Sequence, residues 1–478
     1  MSGHVLQEQN SRTELIIAAD GKSAPQPASR LPQYAAAVIA TAGALSAGTC
    51  MGYTSPALPL LQRETNPFPV SESAGSWVSA LLNVGAALGA LPAGCLAARV
   101  GPRSLIAALL LPFIASWMII AHSDSVWELY VGRLVAGLAV GATSVAAPLY
   151  VTEVSETRVR GALGSLFQLQ VTAGILAGYA AGLLADHRLL ALALASLPAA
   201  FLLPALCWLP ESPAYLLAAG SDRAARRALA RLRGARYDYT DEIAELQDAV
   251  KAAKLRSSRV CDLWGSRAAR RAMVCALGLM VFQQWSGVNA VIFYSQKIFN
   301  NAGASFMSPS TATIVIGVVQ LAATAVSAAL VDRLGRRALL LVSAAVMSAC
   351  LGLLAAQVSG LLAVTWLPLA AVALFIVAFS LGFGPVPWLL LGELFTPDNK
   401  PTAAAVCATV NWLQAFTVTK VFVNMETALG LSGAFWVFTG SCAAAAAFVA
   451  LLVPETRGRS LPEIQRRLAG LPDAMEAV

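Results

Sequence analysis

The sequence predicts an all-α membrane protein of twelve transmembrane helices, arranged as two pseudo-symmetric six-helix halves. Three observations carry that expectation. The chain has too few charges to clothe a soluble surface, it holds twelve apolar runs of about bilayer length, and a set of polar motifs recurs about half a chain apart.

Of 478 residues, 57% are hydrophobic and 12% charged, against roughly 25% charged in an ordinary soluble domain. The net charge of +7 invites a nucleic-acid partner. The basic residues fall instead in short blocks between apolar runs, the bias that orients membrane proteins, and no nucleic acid is expected. Eight cysteines form no Cys-x-x-Cys pair, and His4, His122 and His187 are scattered. The cysteines therefore read as small packing residues, and neither a metal nor another cofactor is expected.

A bilayer core takes about 20 apolar residues per helix. Twelve segments meet that length: 34–60, 74–97, 104–122, 127–150, 161–184, 189–209, 272–300, 310–331, 338–358, 364–391, 401–424 and 432–453. They divide the chain into a polar N-terminal tail (1–33), a six-helix half (34–209), a charged linker (210–271), a second six-helix half (272–453) and a C-terminal tail (454–478). Arg99 and Arg103, Arg158 and Arg160, and Arg333, Arg336 and Arg337 lie in loops on one side, with Arg63 and Arg188 the main exceptions opposite. That side, with both termini, is expected to be cytoplasmic. Within the linker, Asp222–Arg233 and Asp241–Lys254 have helical composition, with Leu229, Leu232, Ile243, Leu246 and Val250 as an apolar stripe. A solvated charged linker is the alternative.

The internal repeat supports the two halves. Pro148 through Glu153 followed by Arg160 parallels Pro387 through Glu393 followed by Lys400. Arg99-x-Gly101-x-Arg103 parallels Arg333-Leu334-Gly335-Arg336-Arg337, and Pro210-Glu211-Ser212 parallels Pro454-Glu455-Thr456. Chance matches would not share an offset near half the chain. Two repeats flanking a midplane site is a common plan of alternating-access carriers.

Several of these stretches, with Gln283-Gln284-Trp285-Ser286-Gly287-Val288-Asn289, Gly384-Pro385-Val386-Pro387-Trp388 and Pro210-Glu211-Ser212-Pro213, resemble the signatures of the sugar-porter branch of the major facilitator superfamily. The resemblance runs from about Gly43 to Ile464, and it implies the major facilitator fold. Gly52 through Pro59 is similar to the first span of insect facilitated trehalose transporters and of animal hexose facilitators. A small-molecule sugar substrate and a lipid bilayer are the partners implied. A monomer in the plasma membrane is expected.

A sugar is a ring of hydroxyls with two apolar faces, and an amide offers it both a donor and an acceptor. Amides in apolar spans are costly unless paired, so their presence is informative. Gln168 shares a face of the fifth span with Ser165, Thr172 and Tyr179, and the resemblance makes it a sugar ligand. Small polar groups joining two helices is the other reading of that face. Gln283 and Asn289 stand six residues apart, about 120° around a straight helix, and Ser286-Gly287 between them offers a break. The resemblance places Gln283, Gln284 and Asn289 on the sugar, and Phe293 and Tyr294 in a gate; an amide cluster that only ties helices is the alternative. It likewise makes Gln320 and Asn411 ligands. Trp388, beside the kink that Pro385 and Pro387 impose, can stack on a sugar face or belong to an interfacial belt.

Glu153, Arg160, Asp332, Arg333, Arg336, Glu393 and Lys400 are expected to pair across the halves, closing the inner side when the carrier faces outward and parting when it faces in; fixing topology is their other reading. Ala98, Pro102, Ala214 and Ser380 depart from the family pattern, which weakens the first-half lock and any transfer of substrate preference. Related proton symporters carry an aspartate in the first span paired with the arginine equivalent to Arg133. Here Thr54 stands in that place, and no carboxylate occurs between Tyr34 and Leu61. Facilitated diffusion is expected, with Arg133 lacking a partner in the first span. No catalytic constellation appears, so an enzyme is not expected. A non-transporting sugar sensor on the same scaffold is the main rival.

Overall fold

The computed structural model describes residues 28–471, apart from 65–67, 157, 185, 235–236, 256–259, 302–306, 332–333 and 397. Every regular element among them is helical. The first span comprises α1 (Leu31–Ala40), α2 (Ala42–Gly52) and α3 (Thr54–Leu61). It starts three residues ahead of the expected Tyr34. Pro32 needs no N–H partner in a first turn and has its φ preset for a helix. Gln33 is buried there, its amide oxygen accepting the Glu156 N–H at 3.0 Å. Most of the expected N-terminal tail lies outside the described residues, as does the end of the C-terminal tail.

The next spans are α4 (Glu72–Val100), α5 (Pro102–Ala121), α6 (Val126–Val154), α7 (Arg160–Ala181) and α8 (His187–Cys207). Linker helices α9 (Pro213–Ala218), α10 (Asp222–Arg233) and α11 (Thr240–Leu255) follow, with Leu229, Leu232 and Ile243 of the apolar stripe buried. The second half contains α12 (Arg267–Trp285), α13 (Val288–Asn301), α14 (Pro309–Leu330), α15 (Arg336–Val358), α16 (Leu367–Leu381), α17 (Val386–Leu394) and α18 (Lys400–Leu452), before the short α19 (Leu461–Ala469). Eleven segments are long and apolar enough to cross a bilayer among the described residues. The last, α18, has 53 residues, about twice what one crossing takes. Gly430, at φ 74°, turns it into two, which makes twelve crossings.

Small residues bring the helices of the first half to backbone contact. Gly85 and Gly89 of α4 face Gly137 and Gly141 of α6, where an added Cβ would lie 1.9–2.4 Å from a carbonyl oxygen. Gly48 and Gly52 of α2 meet Gly174 and Gly178 of α7 with added Cβ atoms 2.0–3.0 Å from the facing backbone. Four-residue spacing of glycines lets membrane helices approach this closely.

The repeated Pro-Glu motif caps a helix in each half. Glu455 accepts the N–H groups of Arg336 at 3.0 Å and Arg337 at 3.1 Å, at the start of α15, and those of Thr456 and Arg457 at 3.0 Å. Glu211 accepts the N–H groups of Arg103, in α5, and Ser212, both at 3.0 Å. A Cβ on Gly101 or Gly335 would come within 2.5 or 2.6 Å of the capping carboxylate, so each glycine belongs to its cap. Burial alone would raise the Glu455 carboxyl, but the four backbone N–H groups outweigh it and hold it below the ordinary 4.5. Its contribution is therefore complete above that value and is lost only as pH falls through the lower folded one. At neutral pH, Glu455→Ala should cost about 1–2 kcal/mol and lower the unfolding temperature in detergent. An unchanged unfolding temperature would remove the cap from the list of stabilising contacts.

The linker helices define one end of the bundle, and the two halves meet at the far end. Tyr179 Oη donates to the Ile292 carbonyl at 2.9 Å, Asn83 Nδ2 to Thr419 Oγ1 at 3.2 Å, and the Gln296 N–H to Ser55 Oγ at 3.1 Å. Lys297 and Lys420 reach Glu72 and Ser76 in the same region. Toward the linker end, Arg160 and Arg336 bond to groups of their own half.

Candidate sugar site

The seventh span breaks between α12 and α13, where Gly287 sits at φ 84°. Only glycine occupies that region without strain. The Gly287 N–H turns back to the Gln284 carbonyl at 3.1 Å, and Ser286 Oγ donates to the Gln283 carbonyl at 2.7 Å. On an unbroken helix Gln284 and Asn289, five residues apart, would lie about 140° from each other. Across the break they touch.

Four amides then form a head-to-tail chain. Asn289 Nδ2 donates to Gln284 Oε1 at 2.6 Å, and Gln284 Nε2 to Asn411 Oδ1 at 2.9 Å. Asn411 Nδ2 donates to Gln283 Oε1 at 2.7 Å, and Gln283 Nε2 to the carbonyls of Phe383 and Gly384 at 2.7 and 2.9 Å. Those carbonyls lie in the interruption between α16 and α17, just ahead of Pro385. All four amides are buried. Each buried amide is thus paired without a ligand, which removes the penalty of leaving it bare. A hydroxyl both donates and accepts, so it can replace a link of the chain at little cost.

The remaining expected ligands stand apart from the chain. Gln320, on α14, is buried with its Oε1 lacking a partner. Gln168 is exposed on α7, and among the described residues its side chain makes no hydrogen bond. Trp388 is 41% exposed on α17. Gln168 and Trp388 both lie away from the far end, where Tyr179, Asn83 and Ser55 tie the first half to the second.

The aromatic pair closes off the amides from the far end. Phe293 and Tyr294 are both buried, and Tyr294 leaves helical geometry at φ −121°, ψ 18°. Its ring stacks on Phe422 at 5.2 Å, and Phe422 on Phe438 at 6.2 Å. Beyond them a vestibule of about 400 Å³ is lined by Glu72, Ser76, Gln296, Lys297 and neighbours, and by none of the four amides.

One of two charge expectations needs correction. The lock charges, expected to pair across the halves only in the outward-facing state, are held within their own half here. Arg336 donates to Glu393 Oε1 at 3.1 and 3.3 Å inside one half, where Thr456 also holds Glu393. Among the described residues, Glu153 has a buried Oε2 without a partner, Arg160 reaches only the Ser155 carbonyl at 3.4 Å, and Lys400 is exposed. Asp332 and Arg333 lie outside the described residues. Arg133, in turn, does have partners in the first span: the Cys50 carbonyl at 2.6 Å and Thr54 Oγ1 at 3.0 Å, besides the Val78 carbonyl at 2.9 Å. The Tyr53 ring lies 5.7 Å from its guanidinium carbon. Every one of these partners is neutral. Main-chain acceptors leave no trace in a sequence, which is why this arginine looked unpaired.

Comparison with known proteins bears on the whole chain. Residues 34–468 match the family described as sugar (and other) transporter. The facilitated trehalose transporter Tret1 of Culex quinquefasciatus is 37% identical over 457 residues, covering 93% of this chain and 87% of that protein. The Aedes aegypti Tret1 is 38% identical over 93% of this chain, which spans only 56% of that relative's length. The solute carrier family 2 facilitated glucose transporter member 8 of Bos taurus is 36% identical over 97% of this chain and 99% of that one. Among solved structures, the xylose transporter XylE from E. coli in an inward open conformation superposes with a TM-score of 0.73 at 23% identity, over 90% of this chain and 98% of that one.

Proposed function

The chain belongs to the sugar (and other) transporter family, and from that premise we propose that it is a facilitator carrying trehalose or a hexose across a membrane by alternating access. The observation that carries the proposal is the uncharged amide chain Asn289–Gln284–Asn411–Gln283. It offers a polyol donors and acceptors without a fixed charge that would hold it too tightly. Gln320, with an idle buried acceptor, is a further ligand once sugar enters, and Gln168 and Trp388 join when the halves close over it. Membership in this family makes the chain a multi-pass transporter rather than an enzyme. We place residues 34–209 and 272–453 as its two moving halves, the linker end in the cytoplasm with both termini, and a monomer in the plasma membrane. Glu153, Arg160, Glu393 and Lys400, with Asp332, Arg333 and Arg336, would lock the linker end in the opposite state.

A counterflow panel with the purified protein in liposomes tests the substrate. Trehalose or glucose on the inside should drive transient accumulation of the same labelled sugar, while a charged analogue should not. Absence of counterflow with every neutral sugar would contradict the proposal.

The neutral environment of Arg133 supports uncoupled transport, since no carboxylate or imidazole occurs in the first span. Thr54→Asp puts a carboxylate within reach of that guanidinium. We expect it to make uptake depend on pH between about 5 and 8, where the parent is flat. A variant as flat as the parent would show that proton coupling needs more than this pair.

A further inference from the structure

We propose that Lys297 and Lys420 form a clasp on the first turns of α4 that holds the far end of the bundle shut, with Lys297 as its positioning residue. Both lysines lie toward the far-end termini of membrane helices in the second half, while most of the chain's basic residues sit at the linker end or in the linker. Lys297 Nζ lies 3.0 Å from Glu72 of the first half and 3.0 Å from Glu426 of its own half. Glu426 is 14% exposed and Glu72 64%. The shielded acid therefore stays with the lysine and fixes its position, while the exposed acid is the one that can leave. Lys420 Nζ donates to Ser76 Oγ at 2.6 Å and lies 4.6 Å above the Trp77 ring. Such a ring face attracts a cation.

The three contacts on α4 thus come from one helical turn and a half, Glu72 to Trp77, and both lysines come from the opposite half. Opening the vestibule requires α4 to part from α13 and α18, which breaks the Glu72 and Ser76 contacts and leaves Lys297–Glu426 intact. Closure of the far end is then biased by charge as well as by the buried Phe293 and Tyr294 beneath it. The clasp rests on the alternating-access reading for its role in transport, though its geometry does not.

The test uses the full chain in intact cells or oriented vesicles, without sugar. Ser79 is fully buried at the interface near Tyr294, so Ser79→Cys reports opening through its rate of reaction with a membrane-impermeant maleimide added from the far side. Protein lacking that cysteine supplies the background from the eight native ones. Lys297→Gln and Glu72→Gln should each raise the rate about three- to fivefold, the range of one partly exposed ion pair. Combined, they should give clearly less than the product of the two. Lys297→Arg should keep the parental rate, and 1 M salt should speed the parent but not Lys297→Gln. Equal rates in the parent and Lys297→Gln would overturn the clasp. Should Lys297→Gln fail to reach the membrane, Glu72→Gln decides alone, because Glu72 is exposed and its loss leaves Lys297 with Glu426. A parent that labels as expected but shows no sugar counterflow would defeat the transport reading and leave the clasp standing.

Discussion

Replacing Gln283 by Ala is expected to weaken apparent sugar affinity about five- to thirty-fold, with the protein still folded and in the membrane. Gln283 is the only link of the amide chain that grips the α16–α17 interruption, through the Phe383 and Gly384 carbonyls. Its loss removes one bond to a sugar hydroxyl, worth on the order of 1–2 kcal/mol, and leaves Asn411 Nδ2 with the Met280 sulfur at 3.4 Å in place of an amide oxygen. Asn289→Ala, Gln284→Ala and Asn411→Ala should fall in the same range. Because neighbours in one network couple, Gln283→Ala with Asn411→Ala should cost less than the sum of the singles. The measurement is concentration dependence of counterflow. Normal affinity in Gln283→Ala and Asn289→Ala together would place the sugar elsewhere.

Gly287→Ala should reduce transport about ten- to a hundred-fold, with apparent sugar affinity falling as well because the site forms only across the break. A side chain at φ 84° costs an L-residue roughly 1–2 kcal/mol, and the new Cβ would stand 2.7 Å from the Phe438 ring. Together these disfavour the broken span by about 2–3 kcal/mol, and an unbroken one separates Gln284 from Asn289. Gly440→Ala is the matched control, since a Cβ there meets nothing within 4 Å. Comparable transport in the two variants, measured at equal membrane abundance, would show that the break is not needed.

The spans were legible because length and apolarity alone decide whether a helix can cross a bilayer, and Gly430 reads as a boundary for the same reason that a single 53-residue crossing does not fit. Gln283, Gln284, Asn289 and Asn411 were legible as amides out of place among apolar neighbours. Their order in a chain was not, because it depends on how far Gly287 turns α13 against α12. The start at Leu31 was hidden by Pro32, which punctuates a loop and opens a helix equally well. Arg133 and Gln33 escaped because their partners include main-chain groups that any residue supplies. The lysines at 297 and 420 carried a readable signal, positive charge at the wrong end of a membrane helix. It pointed to a contact without naming Glu72 or Ser76.

Uptake of labelled sugar into proteoliposomes, with and without an imposed pH gradient, tests the central claim most directly. A sugar facilitator with Thr54 beside Arg133 should fill the vesicles until inside and outside concentrations match, and then stop. The gradient should leave that end point unchanged, and a protonophore should alter nothing. Saturable uptake that rises above the outside concentration and collapses with the protonophore would contradict uncoupled transport. A total lack of saturable uptake would contradict sugar transport itself.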